Sequence, residues 1–240
     1  MNRHDWFRNK TWSDDIAAAF EARLKRSRSR FAKAQALRFQ GEDLIRSGDP
    51  KMQKIGEELV QRVISDYPDV TMQVTMAHET LGDYYYGIED YFAAEKSYRM
   101  VPQVMDKNGN GTTEIWPAKL ASAIFFSGQH DKYVEAKQMV KLLLHQDRQP
   151  LFNSSLFQCF LILARLSKAL GGEQEARIYA EKALTLASIK TPQFQRHPTI
   201  GIVQTDKKIL RELRDLAKKT LSSKWLSALR LDILSMKIVG

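Results

Sequence analysis

The residues best spaced for chemistry are Asp106, Asn108 and Asn110, whose side-chain oxygens alternate ahead of Gly111. That order matches the first half of a calcium loop, in which alternate oxygens ligate the ion and the glycine makes the sharp turn. The second half does not follow. The place of the closing bidentate carboxylate falls on Pro117, and Glu114 stands three residues too early. An Asn/Gly turn ending at Trp116-Pro117 is the reading that needs no metal, and no metal or cofactor is expected. Other chemistry lacks a starting point: the chain has no Gly-x-Ser-x-Gly, no Gly-x-x-x-x-Gly-Lys, no His-Glu-x-x-His and no Cys-x-x-Cys. The five histidines (His4, His78, His130, His145 and His197) are scattered. No nucleophile, base and orienting group assemble from any motif, so the chain is expected not to be an enzyme.

Charge offers a second chemistry, the binding of anions. The 240 residues carry a net +9, and the excess is confined to the two ends. Residues 1–50 hold 11 Lys and Arg against 7 acids, residues 204–240 hold 9 against 4, and residues 51–203 balance at 17 each. Arg23, Lys25, Arg26, Arg28, Arg30, Lys33 and Arg38 follow one another without an acid, and Lys207, Lys208, Arg211, Arg214, Lys218, Lys219 and Lys224 form a second cluster. Arg26, Arg28, Arg30 and Lys33 are the candidate anion contacts, with nucleic acid or an acidic protein as the partner that such a face would attract. The competing reading is long cations solvating the flanks of an amphipathic helix. Phe31 and Phe39 are the only aromatics within the first cluster, too few for a base-stacking platform.

The elements that position these residues are helices. Apolar residues recur at three and four along most of the chain, and no useful stretch alternates as a strand would. The composition, 43% hydrophobic and 27% charged, is that of a folded globular chain, and no run of apolar residues is long enough to span a membrane. The lone Cys159 has no disulfide partner within the chain, and Met1 to Lys10 is polar apart from Trp6 and Phe7, so a cytoplasmic location is expected. Thr11-Trp12-Ser13-Asp14 offers a helix start, after which Ile16, Phe20, Leu24 and Phe31 keep one stripe, with Trp6 and Trp12 folding back on it.

Two stretches repeat. The first is Leu81-Gly82-x-x-Tyr85 followed by Ala94-x-x-x-Tyr98; the second is Phe160-x-x-Leu163-Ala164-x-x-Ser167 followed by Ala176-x-x-x-Ala180-x-x-Ala183. Weaker copies carry Gly41, Leu44, Gly56, Val60 and Pro68, and Ala123, Phe126, Ala136 and Val140. Small residues at such places let paired helices approach closely while a bulky neighbour fills the remaining space. The pattern resembles that of the tetratricopeptide-repeat family, with His78 where that family usually has Trp, and with Ser167 and Ala180 in place of large residues. The anchors Gly41, Gly82, Ala123 and Ala164 are spaced by 41 residues. That spacing exceeds the family's repeat of about 34 and falls near the longer HEAT and armadillo units, which remain the competing architecture.

The resemblance covers residues 34–190 and implies an all-α fold, an α-solenoid of about four helix pairs at 34–68, 75–108, 116–150 and 157–190. An N-terminal capping helix (1–33) and basic, amphipathic C-terminal helices (191–240) would flank it. It further implies a concave groove holding a peptide or helix of a partner protein, lined by the residues three before, one after and four after each anchor. Those are Arg38, Glu42 and Ile45; Glu79, Asp83 and Tyr86; Leu120, Ile124 and Ser127; and Leu161, Arg165 and Lys168. A non-catalytic adaptor or scaffold is the function this implies; a nucleic-acid or regulatory binder using the basic ends is the alternative. Trp225, Leu226, Leu229, Ile233 and Met236, with Leu231, Leu234 and Ile238 on a second face, predict a helix that packs on the solenoid or docks on a second copy.

Overall fold

Helices begin where a side chain can accept the first unpaired amide protons. Ser13 accepts from the Ile16 amide, Ser29 from Ala32, Asp49 from Lys51 and Met52, and Asp90 from Ala93. Pro50 and Pro117 occupy first turns, where a missing amide costs nothing. The computed structural model describes residues 5–105, 112–145, 152–194 and 196–218. Among them are ten α-helices: α1 (Asp14–Arg26), α2 (Arg30–Ile45), α3 (Pro50–Asp66), α4 (Thr71–Gly87), α5 (Tyr91–Val104), α6 (Trp116–Phe126), α7 (Tyr133–His145), α8 (Asn153–Ala169), α9 (Glu173–Ser188) and α10 (Lys207–Ala217). Short 3-10 turns precede α1 and α7 (Asp5–Phe7 and His130–Lys132), and the described residues contain no strand beyond an isolated Phe194–His197 bridge. The all-helical class expected from the sequence is observed.

The predicted first helix ends early. Ser27 adopts an extended ψ of 131° and Ser29 caps a new helix, so Phe31 lies in α2, 41% exposed, and not on the stripe of α1. The Ser29 hydroxyl, accepting from the Ala32 amide at 3.2 Å, competes with helix continuation for backbone bonds, and the cation cluster is thereby divided between α1, the break and α2.

Contacts divide the chain into two units, Met1–Pro150 and Leu151–Gly240. In the first, α2 packs on α3, α4 on α5 and α6 on α7, while α2 also meets α4 and α4 meets α6. Two glycines let α2 and α3 meet backbone to backbone. A Cβ on Gly41 would lie 2.7 Å from Gly56 O and 2.6 Å from Val60 Cγ2, and one on Gly56 would lie 2.6 Å from Gly41 O and 3.0 Å from Ile45 Cγ1. Gly41 facing Val60 while Ile45 faces Gly56 fixes α2 and α3 as antiparallel. The core of this unit includes Phe20, Leu24, Leu37, Leu44, Val60, Val63 and Leu81. Each such side chain contributes about 1.5–3 kcal/mol on burial. Trp6 and Trp12 both pack on Phe20, with ring centroids 5.3 and 5.4 Å away.

The segment before α1 is strapped to α2 by polar contacts. Gln40 Oε1 accepts from the Asn9 amide (2.9 Å) and from Asn9 Nδ2 (2.8 Å), and Gln40 Nε2 donates to Asn9 O at 2.8 Å. The Arg8 guanidinium lies 4.2 Å from the Phe39 ring centroid and 3.4 Å from Asp43. In the second unit α8 packs on α9, and α10 packs on both. Phe157, Leu161, Ala164, Ala180, Ala183, Val203 and Leu213 form its core. Residues 106–111 of the calcium-like loop and the Trp225–Ile238 stretch lie outside the described residues.

Candidate interaction site

The first-helix positions expected to line a groove sort themselves by burial. Leu120 and Ile124 are 2% and 0% exposed, core side chains of α6 that offer no surface to a ligand. The anchor Ala123 is buried with them, 0% exposed. Arg38 is also buried, 5% exposed. Its Nε donates to Gln73 Oε1 at 2.9 Å, its Nη1 stands 3.3 Å from Glu42, and its guanidinium lies 4.3 Å from the Phe39 centroid. Burial pulls this guanidinium below its ordinary pKa, against the Glu42 charge that raises it.

Glu42 and Asp83 remain at the surface and share one cleft of about 320 Å3. Its walls come from the C-terminal halves of α2 and α4: Glu42, Ile45 and Arg46 on one side, Thr80, Asp83, Tyr84, Gly87 and Ile88 on the other, with Gln53 of α3 beneath. Both helices end at the cleft, so their negative dipole ends face it. Thr80 Oγ1 donates to Glu42 Oε1 at 3.4 Å. Asp83 accepts from the Tyr98 hydroxyl (2.7 Å) and from Lys119 Nζ (2.8 Å). Lys119 also reaches Glu79 at 2.8 Å, and Glu79 accepts from the Thr113 amide (2.9 Å) and hydroxyl. Burial alone would lower the Lys119 pKa, but the Asp83 and Glu79 charges outweigh it and the pKa is raised. Glu79, 4% exposed, is therefore a buried structural carboxylate joining α4 to α6.

An aromatic edge adjoins this cleft along α4. The Tyr86 ring packs on Tyr91 (5.3 Å) and Phe126 (6.0 Å), and Tyr91 stacks on Phe126 at 5.4 Å. Ile88, Phe92 and Phe126 are 48, 64 and 40% exposed. Such a concentration of exposed apolar side chains is what interaction surfaces present. Sequence reasoning reached Glu42, Ile45, Asp83 and Tyr86 but missed Lys119, Thr80, Ile88, Tyr91 and the surface placement of Phe126. For Lys119 a signal exists: it stands one helical turn before the anchor Ala123, on the side facing α4.

The remaining expected contacts lie elsewhere. Arg165 and Lys168 belong to the second unit, where Arg165 makes two bonds of 2.8 Å to Glu212 and Lys168 pairs with Glu173. Of the proposed anion contacts, Arg26 donates to Ala22 O at the end of its own helix, and Arg30 is held by Asp69 and by Asp66 O and covers the Tyr67 ring. Arg28 is exposed in the break and Lys33 is half-buried. Burial lowers the His78 pKa and pushes the Cys159 thiol up to about 12, so Cys159 is not a nucleophile at neutral pH. Among the described residues, no three His, Cys, Asp or Glu side chains gather where they could hold a metal, and no helix is long and apolar enough to cross a membrane. Compared with family models, curated proteins and solved structures, the chain matches none of them.

Proposed function

We propose that this chain is a non-catalytic protein-interaction module of the tetratricopeptide type, a cytoplasmic adaptor or scaffold that holds a peptide or helix of a partner protein. In this reading the four helix pairs form an α-solenoid and the first-helix face binds. The observation that carries it is the cleft between α2 and α4, where the positions equivalent by the 41-residue spacing, Glu42 and Asp83, line one depression beside the exposed Tyr86–Tyr91–Phe126 edge. The small anchors at the helix crossings support the same reading. Affinity purification from the native host, with Asp83→Lys and Phe126→Ala beside the parent, tests it. A protein retained by the parent and lost with both variants supports the module; no retained protein, or one retained equally by all three, overturns it.

A second reading, a nucleic-acid or regulatory binder, rests on one observation. Arg23, Lys25 and Arg28 are exposed at the end of α1 and in the break after it, and none pairs with an acid among the described residues. An electrophoretic shift that weakens steeply with salt would favour it. Self-association through the apolar Trp225–Ile238 stretch completes the proposal, and light scattering of the full chain against one ending at Thr220 tests that element.

A further inference from the structure

In the second unit a cleft of about 1330 Å3 lies between the end of α8, the first turns of α9 and one side of α10. Its lining carries five cations and three carboxylates. All three carboxylates are already engaged: Glu173 by Lys168 (2.5 Å), Asp215 by Lys218 (2.6 Å) and Glu212 by Arg165 (2.8 Å). Two lining cations are left without a pair, and a third is held only at long range. Lys208 and Arg211 make no ion pair within 4 Å among the described residues, and Arg177 approaches only Glu181, at 3.8 Å. Arg177 Nε is moreover buried with no acceptor in hydrogen-bonding reach. That nitrogen is closed to a ligand as well, but the Arg177 side chain as a whole is 30% exposed, and its other guanidinium donors can take an acceptor. The first turn of α9 contributes Glu173 and Gln174 to the same cleft, and no side chain caps that turn.

From these groups we propose that the cleft binds an acidic, partly apolar peptide of a partner protein, with carboxylates seated on Arg177 and Arg211. This does not depend on the α2/α4 cleft. Charge decides the occupant. A nucleic acid presents a dense row of phosphates, which Glu173, Glu212 and Asp215 in the lining would repel, whereas isolated carboxylates can reach the surplus cations between them. The chain's own residues 219–240 carry four cations and one acid, Asp232, and are the wrong sign for this cleft. Leu216 and the aliphatic stems of the lining lysines and arginines supply the apolar contact.

Fluorescence anisotropy of the full chain tests this with a labelled peptide bearing glutamates among leucines and alanines. The comparison probes are the same peptide with glutamine at those places and a labelled single-stranded oligonucleotide of equal length. The glutamate peptide should bind in preference to both. The double variant Arg177→Gln with Arg211→Gln should weaken it by about tenfold or more, since each lost contact is a charge-assisted hydrogen bond. Lys208→Gln, fully at the surface, should weaken it less, and Lys96→Gln in the other unit should leave it unchanged. Circular dichroism of each variant establishes that the helices persist, and the Lys208 variant decides the matter if the double variant unfolds. Equal binding of the glutamine peptide, tighter binding of the oligonucleotide, no binding of the glutamate peptide, or indifference to the folded variants would each overturn the proposal.

Discussion

The Tyr98 ring lies against the backbone of Gly82, so close that a Cβ on Gly82 would come within 2.6 Å of Tyr98 Cδ1, while the Tyr98 hydroxyl donates to Asp83 at 2.7 Å. One side chain thus closes α5 onto α4 and orients a carboxylate of the cleft. Gly82→Ala should therefore destabilise the first unit by about 2 kcal/mol, because a buried ring hemmed in by its neighbours has nowhere to retreat. Tyr98→Phe should cost about 1 kcal/mol through the lost hydrogen bond. Urea unfolding of both variants measures the two effects; an unchanged midpoint for Gly82→Ala would show the contact to be slack.

The turn after α4 holds a residue of the wrong type for its conformation. Glu89 has φ of 63°, and the Asp90 amide donates back to Tyr85 O at 2.9 Å, closing the helix as a left-handed cap usually does. Gly128 and Gly171 fill the corresponding place after α6 and α8 with φ of 72 and 78°. Glu89→Gly should accordingly stabilise the chain by about 1 kcal/mol, read as a raised midpoint of chemical unfolding with an unaltered slope.

Lys119 sits between Glu79 and Asp83, and removing it leaves Glu79 buried with only Thr113 as partner. Lys119→Met should cost about 3 kcal/mol, because the uncompensated buried carboxylate costs more than the pair had contributed. Adding Glu79→Gln to that variant should restore part of the loss, and a double-mutant cycle reads the coupling.

Stability should fall in two steps as the solution is acidified. His78 is kept neutral by burial, so its pKa is lowered from 6.5 and the unfolded chain binds the extra proton. The resulting loss sets in as pH drops below about 6.5 and is complete below the folded value. Burial would raise the Glu95 pKa, but bonds from Lys132, Gln129 and Arg99 outweigh it and lower it from 4.5. Its contribution is present above about 4.5 and is lost as pH falls through the lowered value. Urea midpoints across this range should lose the first step in His78→Gln and part of the second in Glu95→Gln.

Helix positions, caps and close crossings were legible in the sequence because they are local. Ser13 announces a helix start by its own side chain, and the small residues Gly41, Gly56 and Gly82 announce where helices meet closely. The break at Ser27 to Ser29 was missed because the apolar spacing from Leu24 to Phe31 continues through it, and periodicity carries no sign of a backbone that turns.

The surface was harder to read. Glu42, Glu79 and Arg38 follow from one spacing rule, yet Glu42 lines a cleft, Glu79 is buried under Lys119, and Arg38 is buried against Gln73 and Phe39. All three are long charged side chains; their burial depends on which neighbour from another helix arrives over them. The sequence by itself determined an all-helical chain with small residues at its crossings and charge at its ends, since propensity, capping and composition act over a few residues. Only the tertiary structure decided which charges are spent on one another, because pairing acts across 30 to 50 positions of chain, as between Arg165 and Glu212, Lys119 and Glu79, and Arg30 and Asp69.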